Sequence, residues 1–71
     1  MELGEQLQRL REEKNLSREE LAQVMNVSRQ AVYKWENNKG HPDIENLIKL
    51  SDLYNVTIDE LIEGDRSFQK K

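Results

Sequence analysis

Two short helices, each opened by a serine cap and joined through a single asparagine, constrain this chain more than anything else in it. They occupy residues 17–38, SREELAQVMNVSRQAVYKWENN. Ser17 with Glu20 three residues later forms a capping box, so a helix starts there. Leu21, Ala22 and Met25 follow on one face at helical spacing. Asn26 falls where the chain must turn, and Asn tolerates the left-handed backbone better than most residues. Val27 precedes Ser28, which caps the second helix. Val32 and Trp35 lie three apart and point inward.

Arg29, Gln30, Tyr33 and Lys34 are left on the outside of that second helix. A merely solvated face usually mixes Glu with Lys or Arg. This one does not. Gln can bond adenine bidentately, and Arg or Lys can bond guanine O6 and N7 in the major groove. Tyr adds a hydroxyl and a flat apolar ring. The arrangement fits a helix-turn-helix whose second helix enters the major groove.

Charge first argues against nucleic acid, since the chain carries a net −3. Its distribution answers part of that objection. Residues 1–40 hold seven Lys/Arg and seven Asp/Glu, whereas residues 41–71 hold four and seven. The window 28–39 holds Arg29, Lys34 and Lys39 against Glu36 alone. A locally basic face on an acidic body can bind DNA, with modest non-specific affinity.

The 71 residues allow one domain with a small core. No cysteine is present, and a reducing compartment is the simple reading. No apolar run approaches the roughly 20 residues of a membrane span. The opening MELGEQLQRLREE is polar and acidic, unlike a signal peptide. The expected location is the cytoplasm.

The spacing predicts a first helix over 3–14, with Leu3, Leu7 and Leu10 as its apolar stripe. Asn15 and Leu16 connect it to the pair already described. After Glu36, residues 37–42 are dense in helix breakers, with Asn38 a left-handed cap. Asp43 caps a fourth helix over 44–54, whose apolar positions are Ile44, Leu47, Ile48, Leu50, Leu53 and Tyr54. Asn55 and Val56 turn the chain. Thr57 with Glu60 is a second capping box. It opens a fifth helix with Ile58, Leu61 and Ile62, stopped by Gly64. The expectation is an all-α, five-helix domain over 1–64, with 65–71 a polar tail or the start of a linker.

With these residues laid out, the chain resembles the lambda-repressor-like, or Cro/C1-type (XRE family), helix-turn-helix domain. LSREELAQVMNVSRQAVYKWENN, Pro42, IENLIKLSDLYNV and TIDELI carry the resemblance, which covers residues 7–62. It implies a five-helix bundle that binds duplex DNA, usually as a symmetric dimer on a palindromic operator. By position it implies that Ser28, Arg29, Gln30, Tyr33 and Lys34 touch bases and nearby phosphates. Arg18 falls at a phosphate-contacting position, and Asn37, Asn38 and Lys39 fall in a loop that grips the DNA backbone. The resemblance also implies a semi-buried ion pair between Arg11 and Glu36. Many relatives have Gly where this chain has Asn26 and Asn38, and Asn can adopt the same angles.

Other residues take plainer readings. Trp35 shares the inward face with Val32 and is assigned to the core rather than to base stacking. His41 has no second His or Cys to share a metal, so no metal site is expected. Enzyme readings fail on inventory, with no Cys nucleophile, no Gly-rich phosphate loop and no second His. The acid pairs Glu12–Glu13, Glu19–Glu20 and Asp59–Glu60 diverge around their helices. Ile58, Leu61, Ile62 and Phe68 close the core, form a dimer contact, or do both. The expected function is a transcriptional regulator that represses by steric block. Its partners are duplex DNA and a second copy of itself, with no cofactor, membrane or small-molecule ligand. Two alternatives stand beside it: the DNA-binding piece of a longer regulator, and a protein-binding module on the same fold.

Overall fold

The computed structural model describes residues 3–63. Five helices follow in order: α1 (Leu3–Glu13), α2 (Arg18–Met25), α3 (Arg29–Glu36), α4 (Ile44–Tyr54) and α5 (Ile58–Glu63). No strand occurs among the described residues, and the fold is all-α. Gly64, Phe68 and the 65–71 segment, with the readings attached to them, lie outside the described residues.

One local device ends each of the first four helices. Asn15, Asn26, Asn38 and Asn55 all take left-handed backbone, with φ of 60, 60, 59 and 58°. In each case the following N–H reaches back five residues to a helix carbonyl. Leu16 bonds Arg11 O at 3.1 Å, Val27 bonds Ala22 O at 3.0 Å, Lys39 bonds Lys34 O at 2.9 Å and Val56 bonds Ser51 O at 3.0 Å. These bonds satisfy carbonyls that a helix end otherwise leaves open. Three of the endings are then followed by an apolar residue and a hydroxyl cap: Asn15-Leu16-Ser17, Asn26-Val27-Ser28 and Asn55-Val56-Thr57. Leu16, Val27 and Val56 pack against the core. Ser17 and Thr57 complete capping boxes with Glu20 and Glu60, and Ser28 and Asp43 accept from the Ala31 and Asn46 N–H groups.

The core is Leu7, Leu10, Leu21, Ala22, Met25, Val32, Trp35, Leu50, Tyr54 and Leu61. Every helix contributes. α1 packs on α3 and α5, α2 on α3 and α4, and α4 on α5. Trp35 and Val32 are inward, as their spacing predicts. α4 departs from its expected pattern. Leu50 is fully buried, whereas Ile44 and Ile48 are 61 % and 45 % exposed. Apolar residues on this helix spread over about 220° of its circumference, more than its neighbours can cover. Ile62 on α5 is likewise 43 % exposed, while Leu61 closes the core. Gln6, a buried polar residue of α1, donates to Glu60 O at 3.2 Å and ties α1 to α5.

Backbone meets backbone where the start of α1 reaches the end of α3. Asn38 Oδ1 accepts from the Gly4 N–H at 3.0 Å, filling a donor that the first turn of α1 leaves open. A Cβ on Gly4 would lie 2.5 Å from Glu36 O and 2.8 Å from Asn38 Oδ1. Glycine is required here for closeness, not for its backbone angles.

Gly4→Ala will therefore lower stability by about 1–3 kcal/mol in urea unfolding, although Gly to Ala within a helix ordinarily stabilises. Gly40→Ala is the control, because its Cβ would meet only Lys34 Cβ at 3.9 Å. It will shift stability by less than about 0.5 kcal/mol.

Candidate nucleic-acid interface

α1 carries Arg11 on the same inward stripe as Leu7, one turn later. Glu36 closes α3, where the negative end of the helix dipole makes a carboxylate unwelcome. The two side chains meet. Arg11 Nε donates to Glu36 Oε2 at 2.7 Å and Arg11 Nη2 to Glu36 Oε1 at 3.2 Å. Arg11 Nη1 donates to Leu16 O at 2.7 Å, anchoring the α1–α2 connector. Glu36 is almost wholly buried, at 1 % side-chain exposure. The hydrogen bond from its guanidinium to Glu36 raises the Arg11 pKa against the opposing effect of burial. A second arginine joins them: Arg18, the first residue of α2, donates from Nε to Glu36 Oε1 at 2.9 Å. The Arg18 guanidinium carbon lies 5.7 Å from the centre of the Tyr33 ring, within cation–π range.

Arg18 leads from this core outwards. With Arg29, Gln30 and Tyr33 it lines an open cleft of about 620 Å³ between the start of α2 and the outer face of α3. Arg29 and Gln30 occupy the first turn of α3, and Tyr33 and Lys34 the next, all exposed. The side chains of Arg29, Gln30, Lys34 and Lys39 have no partner among the described residues. They are free to take an external one. Ser28 uses its hydroxyl oxygen to accept from Ala31 N–H at 3.0 Å, which leaves its O–H to donate.

The loop after α3 is more engaged than the sequence suggests. Asn37 Nδ2 donates to Tyr33 O at 2.8 Å, and Asn38 Oδ1 is spent on Gly4. Both side chains bond within the molecule, whereas that of Lys39 does not among the described residues. Sequence reasoning also left Arg18 without its ties to Glu36 and Tyr33, which depend on how α2 crosses α3. An Asn standing where Gly suffices was the one available hint of Asn38's added bond.

A family model described as helix-turn-helix matches residues 7–61. The chain belongs to the helix-turn-helix family, of the XRE type. Within that family it is 51 % identical over 65 residues to the HTH-type transcriptional activator BcrR of Enterococcus faecalis, covering 92 % of this chain and 32 % of BcrR. It is 33 % identical over 70 residues to the HTH-type transcriptional regulator ImmR of Bacillus subtilis, covering 99 % of this chain and 55 % of ImmR. The chain thus spans about a third and about half the length of these relatives. Among solved structures it is similar to the P22 c2 repressor in complex with a synthetic operator, with a TM-score of 0.85 and 29 % identity over 92 % of this chain and 98 % of that one. These relatives are by name transcription regulators, one of them a repressor, and not enzymes. No described helix is long and apolar enough to cross a membrane.

Two predictions test the helix-turn-helix core. Glu36→Gln leaves Arg11 buried without its counter-charge and will cost about 3 kcal/mol or more in urea unfolding. A domain of this size has only about 4–10 kcal/mol to lose. The second concerns Tyr54, whose buried hydroxyl has no partner among the described residues. Burial raises its pKa, the Glu36 charge adds to this, and Arg11 opposes it. The native phenol then keeps its proton at a pH where the unfolded chain, titrating at about 10, has lost it. The native state binds more protons there, so stability falls as pH rises above about 10. Tyr54→Phe will remove that alkaline loss, measured as the difference in urea midpoint between pH 7 and about 10.5. At pH 7 the variant will be no less stable than the parent, because an unpaired buried hydroxyl is lost.

Proposed function

We propose that this chain reads specific duplex DNA by laying α3 in the major groove, as the DNA-binding part of a cytoplasmic transcription regulator. The observation that carries this reading is the outer face of α3. Arg29, Gln30, Tyr33 and Lys34 stand exposed on a helix fixed at both ends, by the Ser28 cap and by the Glu36 ion pairs. The likeness to a repressor solved on its operator supports it. In this reading Arg29, Gln30, Tyr33 and Lys34 meet base edges. Ser28, Arg18 and Lys39 hold phosphates, and Asn37 and Asn38 shape the loop that follows.

The regulator acts as a homodimer on an inverted repeat, which sets two copies of α3 about 34–36 Å apart on one side of the duplex. Covering a promoter in this way excludes polymerase, and the outcome is repression. The 51 % identity to BcrR, named an activator, favours a second outcome on the same binding mode. The same domain bound beside a promoter rather than across it leaves polymerase room to be recruited. The sign of regulation is then set by the operator's position, not by α3.

The test is selection of bound sequences from a random duplex library, followed by variants on the enriched site. An inverted repeat with half-sites about 10 base pairs apart is expected. Gln30→Ala should weaken the specific site by roughly 1–3 kcal/mol and leave random duplex almost untouched. Lys39→Ala should weaken both alike and reduce the log–log salt slope by about one. A folded protein that enriches nothing refutes DNA reading and turns the fold towards protein binding.

A further inference from the structure

Tyr33 is half exposed on α3, and a tyrosine so placed ordinarily samples more than one rotamer. Here it has a support. The Arg18 guanidinium lies over its ring at 5.7 Å, and the same guanidinium is pinned through Nε to Glu36 at 2.9 Å. Glu36 is in turn fixed by two bonds from Arg11, whose third nitrogen is fixed by Leu16 O. A continuous chain of contacts therefore runs from the core to the outer face of α3: Leu16 O, Arg11, Glu36, Arg18, Tyr33.

We propose that Arg18 is a positioning residue, which sets how the Tyr33 ring is presented to the base pair it meets. The inference rests on α3 being the reading helix. A residue that only held a phosphate would need its charge and its reach, and nothing else. Arg18 uses two further properties: a side-facing Nε–H, which binds Glu36, and a flat delocalised cation, whose central carbon lies 5.7 Å from the ring centre. Its terminal N–H groups have no partner among the described residues and stay available to a phosphate. Lysine would keep the charge and lose both the Nε bond and the plane. Arg18 thus carries specificity through Tyr33 as well as affinity through its charge.

The experiment is a double-mutant cycle on the selected operator, with every single base-pair change in one half-site as competitor. Tyr33→Ala first identifies the base pair whose preference depends on the ring. Arg18→Lys is then expected to lower the preference at that same base pair by about three- to tenfold, the range of one cation–π contact. It should do so in the parent and in Tyr33→Phe, which keeps the ring. In Tyr33→Ala it should have no further effect. The salt slope should not change, because lysine keeps the charge. Thermal unfolding checks that each variant is folded, and Arg18→Gln serves as a second substitution should the lysine disturb Glu36. An equal loss from Arg18→Lys in the parent and in Tyr33→Ala overturns the proposal. So does a loss spread evenly over all sequences. A parent protein with no preferred sequence overturns the DNA-reading function itself, and the two failures are told apart by the parent alone.

Discussion

A single buried carboxylate organises this domain. Glu36 ends α3, faces the interior at 1 % exposure, and stands at the pole of the helix where negative charge is disfavoured. Removed from water without partners, it would unfold a protein this small. Two arginines answer it, one from α1 and one from the start of α2. The consequence is positional. α3 is held at its C-terminal end by α1, α2 is held to α3 at its first residue, and the α1–α2 connector is held by the nitrogen of Arg11 that remains. The charge count also matters. Two cations on one anion leave a surplus positive charge, and it emerges through Arg18 on the side where α3 is exposed.

What the sequence made legible was local. The capping boxes, the serine caps and the left-handed asparagines act over three to six residues, and their chemistry can be read without knowing the neighbours. Three connectors share the order Asn, apolar, hydroxyl, and each fixes the end of one helix and the start of the next. What was not legible depended on how helices cross. Periodicity shows that Ile44, Leu47, Ile48 and Leu50 cannot all be covered, but not which side of α4 meets its neighbours. Nothing in the sequence marks Gly4, whose need for glycine comes from the end of α3 lying against it. The position of Arg18 suggested a phosphate contact, and its charge gave no sign of the Tyr33 ring within cation–π range. The Arg11–Glu36 contact came only from a family resemblance, for nothing in the spacing of two residues 25 apart announces it.

The exception among the helix endings is informative. After α1, α2 and α4, the residue that follows the left-handed Asn is Leu16, Val27 or Val56, and it packs on the core. After α3 that place is taken by Lys39, which is exposed. The apolar closure used three times elsewhere is given up at the one ending that borders the exposed face of α3. Its loss is offset nearby: Asn38 contributes a side-chain bond to Gly4, Asn37 bonds the Tyr33 carbonyl, and Pro42 is buried. A loop that only connected two helices would have no need of this exchange. One that must keep a cation in water beside a rigid helix does.

Rigidity has particular value in a domain of this charge. With a net −3, long-range attraction to DNA is weak, and most of what a basic protein gains from phosphates without regard to sequence is missing. Under the proposed function, occupancy of the right site must come from short-range contacts at base edges. Those contacts lose strength when the side chains making them have to be ordered on binding. Ordering them beforehand is therefore worth more here than in a strongly basic relative. The cap at Ser28, the ion pairs at Glu36 and the guanidinium against Tyr33 all do that, and each removes freedom from α3 before any partner arrives.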